Sequence, residues 1–209
     1  MVSCNIGKNF STNNQGQRKK SDFYETPFSL TRQFFIEELS MGADWDCSLP
    51  ILEPACGNGA ITKVLKEREF SHITASDIQD QNHTDFLQET KHYPYMVTNP
   101  PFSLAYEFIQ KAKQIIDNKF AMLLPLSYLH GKKRYDDIYQ DQVYPLSTVY
   151  IFTRYPMLGE ALRDDGKYHT GMMVYAWYVW DTSYHLQDPY AEPIIRWIDN
   201  NKYVLKKGD

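Results

Sequence analysis

Residues 51–65, ILEPACGNGAITKVL, place a carboxylate, a cysteine and two glycines where an apolar run gives way to a helical pattern. Gly57 and Gly59 permit a tight turn and let backbone N–H groups approach a ligand at the helix N-terminus. The turn has neither the full G-x-G-x-x-G spacing of a dinucleotide site nor the lysine of a phosphate-binding loop. Asp77 follows about 20 residues later, the separation at which an acid accepts hydrogen bonds from ribose hydroxyls. Glu53 adds a second carboxylate to the same crevice, with no cation close by in the sequence. Two acids repel a pyrophosphate but suit a ligand with an amino group and a sulfonium, which favours S-adenosylmethionine over a nicotinamide dinucleotide. A second chemical signal is MVTNPPF, residues 96–102, where an apolar run stops at an asparagine and two prolines. Prolines have no N–H and hold φ fixed, so the chain leaves the strand rigidly. By itself that tetrapeptide also reads as a plain strand terminator.

These residues need elements to position them, and the chain alternates apolar runs with helical patterns, the habit of a parallel sheet covered by helices. Residues 49–55, 72–78, 93–101, 120–129, 146–155 and 172–181 read as strands, and 60–69 and 103–117 as helices with apolar residues three and four apart. The last two strands could pair antiparallel, and KKRYDDIYQ (132–140) is a polar, helical piece. YETP is in addition a helix-start signal, with Thr26 as N-cap and Pro27 at the first position. The expected fold is α/β, a Rossmann-like, seven-stranded, mostly parallel sheet that ends in an antiparallel pair, with helices on both faces. YAWYVW (175–180) reads as a sheet-packing strand rather than a base-stacking platform.

The 209 residues suit one domain, 21–209, preceded by a polar arm at 1–20. Hydrophobic residues make up 43% and charged residues 23%, and no apolar run approaches the roughly 18 residues needed to span a bilayer. The arm lacks the apolar core of a secretory signal, so a cytoplasmic setting is expected, with no membrane partner. Cys4, Cys47 and Cys56, like the six histidines, lack metal-ligand spacing, so no metal site is expected. A net charge of −4 argues against a protein that coats nucleic acid indiscriminately, although RKK (18–20) and GKKR (131–134) are local basic clusters.

Taken together, the motifs resemble those of S-adenosylmethionine-dependent N6-adenine methyltransferases, which have the class I methyltransferase fold. DFYETP (22–27), EPACGNG (53–59), SDI (76–78), TDFL (84–87) and NPPF (99–102) occur in the expected order over the first half of the chain. The resemblance implies that Tyr24, Thr26 and Pro27 lie at the methionine end of the cofactor, and that Glu53, Pro54, Ala55, Cys56, Gly57 and Gly59 form the turn beneath it. It implies that Asp77 and Ile78 lie at the ribose and Asp85 and Phe86 at the adenine, although Asp85 reads equally as a turn or cap residue. Asn99, Pro100, Pro101 and Phe102 match the catalytic tetrapeptide. An exocyclic amine conjugated to a purine is a poor nucleophile, because its lone pair is delocalised into the ring. The Asn99 side-chain oxygen and the Pro100 carbonyl would draw that nitrogen towards tetrahedral geometry, and Phe102 would stack on the extruded base.

The implied substrate is adenine N6 in nucleic acid, with DNA favoured over RNA. Lys132, Lys133 and Arg134, together with Arg154 and Lys167 of the long connection 153–171, are candidates for the polynucleotide face. The chain departs from the family in having only about 110 residues after NPPF, where sequence-specific members carry a large recognition region. That leaves relaxed DNA specificity, an RNA substrate, or recognition supplied by a protein partner. A protein glutamine N5-methyltransferase, which usually has tyrosine where Phe102 stands, and a non-catalytic nucleic-acid-binding protein on the same fold are the other readings.

Overall fold

The run FAMLL and the alternating pattern of YAWYVW require a sheet covered on both sides, because every residue from Phe120 to Leu124 and from Ala176 to Trp180 is buried. The structure is a computed structural model that describes residues 26–81, 84–153, 174–186, 188 and 191–199. In it, α1 (Phe28–Ser40) precedes β1 (Ile51–Glu53), α2 (Ala60–Glu67), β2 (Ile73–Ala75), β3 (Tyr93–Thr98), α3 (Ala105–Ile115) and β4 (Ile116–Pro125). A short helix, α4 (Lys132–Arg134), then runs into a π-helical turn at Tyr135–Tyr139, followed by β5 (Leu146–Phe152), β6 (Tyr175–Asp181) and β7 (Ile194–Ile198).

The seven strands form one sheet in the order β2-β1-β3-β4-β6-β5-β7. β1 to β4 are mutually parallel, β6 runs antiparallel to both β4 and β5, and β7 is parallel to β5. Alternation along the strands divides the core in two. Met96, Phe120, Met122, Tyr178 and Trp180 meet α3 through Phe108, Ile109 and Ile115. Val97, Ala121, Leu123, Trp177 and Val179 meet α1 and α2 through Leu30, Phe34, Ile61 and Leu65. Helices therefore cover both faces, as expected, and YAWYVW is a core strand. No described helix is long and apolar enough to cross a membrane.

Two expectations are corrected. The β5/β6 pair is antiparallel but does not end the sheet, since β7 adds outside β5. Its residues Ile194, Ile195 and Trp197 are exposed and only Ile198 is fully buried, so the segment lacks the pattern of a half-buried strand. The start of α1 also differs: Pro27 is the N-cap and the helix begins at Phe28. Pro27 retains an extended ψ of 133°, and Thr26 is turned to another partner.

The chain passes from β1 outward to β2 and returns on the other side of β1 as β3. Ligands of open α/β sheets bind at such a switch, outside the carboxyl ends of the strands.

Candidate active site

β1, β2 and β3 end at Glu53, Ala75 and Thr98, and because they are parallel the segments that follow them gather on one rim. Between these segments lies a cleft of about 280 Å³. It is lined by Thr26, Glu53, Pro54, Ala55, Cys56, Gly57, Asp77, Ile78, Asp85, Phe86, Asn99, Pro100, Pro101 and Phe102, so most of the candidate residues converge on one space. Pro27 and Gly59 are not in its wall. Gly59 shapes the wall instead, as the N-cap of α2 with φ at 80°, a left-handed conformation that β-carbon-bearing residues rarely adopt. Tyr24, Arg154 and Lys167 lie outside the described residues.

The turn after β1 is knitted to the end of β2. The Cys56 N–H donates to the Ser76 carbonyl at 3.0 Å, and the Gly57 N–H to Asp77 Oδ2 at 2.9 Å. Asp77 Oδ1 accepts from the Gln79 N–H at 2.8 Å. A carboxylate has about four lone-pair sites, so these bonds orient Asp77 and leave it able to accept from a sugar hydroxyl. Asp85 caps the 3₁₀ turn Phe86–Gln88 by accepting from the Leu87 N–H at 2.9 Å, and it also lines the cleft. The cap reading of Asp85 is therefore the one with a bonding partner. Phe86 is buried against Phe108, ring centroids 4.8 Å apart, while Ile78 is 54% exposed and gives the cleft an apolar wall.

Glu53 is 1% exposed, and its Oε2 accepts a hydrogen bond from the Thr62 hydroxyl in the first turn of α2. Burial pushes its carboxyl up to about 7; the Thr62 bond opposes the shift and the nearby Asp77 charge adds to it. Burial, reinforced by Glu53 and Asp77, likewise raises the Cys56 thiol to about 11, so this cysteine is not an activated nucleophile. Among the described residues the cleft wall thus has three carboxylates, Glu53, Asp77 and Asp85, and no lysine, arginine or histidine. That donor set fits a cationic nucleoside ligand and disfavours a phosphorylated one.

Asn99 directly follows β3, and its Nδ2 donates to Thr26 Oγ1 at 2.9 Å. The amide nitrogen thus faces Thr26, and the Oδ1 atom is itself buried. Pro100 is buried, and Pro101 has φ −58° and ψ 123°, its carbonyl accepting from the Leu104 N–H at 2.9 Å. Phe102 is half-buried, and its ring lies 5.3 Å from that of Tyr175 at the start of β6. Lys132, Lys133 and Arg134 do not line the cleft. They follow the carboxyl end of β4, on the same rim. No group of three His, Cys, Asp or Glu side chains able to hold a metal occurs among the described residues.

Neither Thr62 nor Tyr175 is recognisable from local sequence as a neighbour of the site. Thr62 could be found only by placing α2 against the end of β1. Tyr175 was hidden inside an aromatic run whose other members are core residues.

No protein-family model and no curated protein matches the chain. Solved structures do. A candidate RNA methyltransferase from Pyrococcus horikoshii superposes with a TM-score of 0.58 at 12% identity, over 76% of this chain and 87% of that one. Magnesium protoporphyrin IX methyltransferase from Synechocystis, with bound S-adenosylmethionine, gives 0.50 at 14% identity over 74% and 81%. The type IIG restriction endonuclease BpuSI gives 0.53 at 12% identity, over 76% of this chain but 25% of the endonuclease. The fold is that of the class I methyltransferases.

Proposed function

We propose that the chain transfers a methyl group from S-adenosylmethionine to the N6 amino group of adenine in a polynucleotide. The observation that carries this reading is the convergence in one cleft of three carboxylates with Asn99, Pro100, Pro101 and Phe102. Likeness to structures named as methyltransferases, one of them with bound S-adenosylmethionine, supports methyl transfer, and the restriction endonuclease supports nucleic acid as the substrate class. S-adenosylmethionine, when bound, supplies an electrophilic methyl on a sulfonium.

The residues of the chain do the rest. Glu53 and Thr26 face the end of the cleft where a cationic amino group would sit, Asp77 takes the ribose hydroxyls, and Ile78, Asp85 and Phe86 receive the adenine. Asn99 Oδ1 and the Pro100 carbonyl accept the two amino hydrogens of the target base. Thr26 steadies the Asn99 amide by accepting from its Nδ2. Attack by the nitrogen lone pair would break the methyl–sulfur bond, whose electron pair would stay on sulfur as a thioether, and the proton then shed by the cationic nitrogen would pass from the acceptor pair to water. Phe102 stacks on the target ring and keeps it in the plane those acceptors define. Positioning supplies most of the rate, and no covalent enzyme intermediate is needed.

Labelled S-adenosylmethionine offered with separate DNA, RNA and protein pools tests this reading, with Asn99→Ala as the control. The expected outcome is N6-methyladenine in a polynucleotide with wild type and a loss of at least about a hundredfold with Asn99→Ala, the scale for removing a positioned acceptor. Label in protein glutamine would replace the substrate assignment. Cofactor binding without transfer to any pool would favour a non-catalytic protein or one that needs a recognition partner.

A further inference from the structure

Three consecutive cations beside the cleft each lie over a tyrosine ring. Lys133 Nζ is 3.5 Å from the ring centroid of Tyr106, the Arg134 guanidinium 4.6 Å from that of Tyr128, and Lys132 Nζ 5.6 Å from that of Tyr135. Cation–π contacts of this kind hold long side chains in place where water would otherwise leave them mobile. One ring and the backbone of another are tied down as well. Tyr106 donates its hydroxyl to Asp137 Oδ2 at 2.7 Å, and the Tyr128 carbonyl accepts from the Tyr139 hydroxyl at 2.7 Å. Arg134 folds back to donate from Nη2 to the His130 carbonyl. Gly131 makes that fold-back possible: its φ is 127°, and a Cβ there would lie 2.9 Å from Arg134 Nη2.

The charges are not equivalent. Lys132 is neutralised by Asp136, 2.6 Å from its Oδ2. Lys133 and Arg134 are in no ion pair among the described residues. Tyr135 is 52% exposed, so a large part of it is accessible to a partner. This platform adjoins the cleft through the start of α3, since Leu104 lines the cleft and Tyr106 lies two residues beyond it.

We propose that this rim binds the unpaired strand flanking the reacting base, with Lys133 and Arg134 taking two phosphates and Tyr135 stacking one base. The inference rests on the reading of the cleft as a polynucleotide methyltransferase site and specifies the form of that substrate. Cations interleaved with aromatic faces are what an unpaired strand needs, because its bases expose their faces as well as its phosphates. A duplex keeps those faces in its own stack. It also presents one charge per about 1.7 Å of axis, which Lys133 and Arg134 on a chain of net charge −4 meet poorly.

The test is fluorescence anisotropy with single-stranded DNA, single-stranded RNA and duplex DNA of about 12 nucleotides, within the span such surfaces cover, titrated over a salt series. Calorimetry with S-adenosylmethionine on the same preparations reports separately on the cleft. Wild type should bind a single strand more tightly than the duplex. Lys133→Gln with Arg134→Gln should weaken binding at least tenfold and flatten the slope of log K against log salt by about 1.4, two phosphates at about 0.7 each. Tyr135→Ala should weaken it about tenfold with the slope unchanged. An unaltered affinity and slope in the double variant, a preference for duplex, or no oligonucleotide binding by wild type would overturn the proposal. Failure of wild type to bind S-adenosylmethionine would sink the methyltransferase reading, while the anisotropy results still decide whether the rim binds a single strand.

Discussion

A carboxyl group shut away from water at the end of a strand resists ionisation, and Glu53 illustrates what that costs and allows. Its folded pKa of about 7 stands above the ordinary 4.5. The folded protein therefore holds this proton more tightly than the unfolded chain. The stabilisation is fully present below about pH 4.5 and is lost as pH rises to about 7, an effect of roughly 3 kcal/mol at about 1.4 per unit. Glu53→Gln should remove this dependence, leaving the variant more stable than wild type at pH 8 and no more stable near pH 4.5. Urea denaturation at the two pH values checks it; an identical pH profile for both proteins would refute the assignment. The same carboxyl must ionise to hold a cationic ligand, so affinity for S-adenosylmethionine should fall as pH drops below 7. Glu53, Asp77 and Asn99 were legible as cleft residues because each stands at or just beyond the end of a recognisable strand. Thr62, which steadies Glu53, was not, because its role depends on how α2 is laid across the end of β1.

At the scale of elements, α1 links the core to the chemistry. Its Phe34 stacks on Trp177 of β6 with centroids 4.9 Å apart, and Trp177 Nε1 donates to the Leu30 carbonyl at 3.3 Å. Arg32 forms a two-pronged bond to Glu67 of α2, at 2.8 and 2.9 Å. These contacts seat the helix that follows Thr26, the residue whose hydroxyl accepts from the Asn99 amide. Phe34→Ala should cost about 3–5 kcal/mol, the range for emptying a buried aromatic site. It should also lower methyl transfer at temperatures where the variant is still folded, because Thr26 is then less well held. Thermal unfolding and single-turnover rates measure the two effects; full activity in the folded variant would uncouple α1 from the site. The helix start at YETP was legible as a signal, but its register was not. Local capping rules place Thr26 at the N-cap, whereas the structure engages its hydroxyl with Asn99, a partner 73 positions away.

At the scale of the whole molecule, stability and chemistry occupy opposite parts of the sheet. β7 is separated from β3 by β4, β6 and β5, so with strands about 4.8 Å apart it lies roughly 19 Å from the segment that carries Asn99. Ile198 is fully buried where β7 covers that end of the core. Ile198→Ala should destabilise the protein by about 2–5 kcal/mol and leave its affinity for S-adenosylmethionine unchanged below the melting temperature. Thermal shift and calorimetry on one preparation check this, and a weakened affinity would show that the far edge reaches the cleft. By itself the sequence determined the α/β alternation, the two faces of the buried strands and the residues at the carboxyl ends of β1, β2 and β3. Those signals are local: period, turn chemistry and short contiguous motifs are written within a few residues. Only the tertiary structure decided that β7 closes the sheet in parallel, that Thr26 serves Asn99, that Tyr175 meets Phe102 and that three cations ride on three tyrosines. Each of these is a contact between segments far apart in the chain, settled by packing and by which polar group reaches which partner, and no local pattern encodes it.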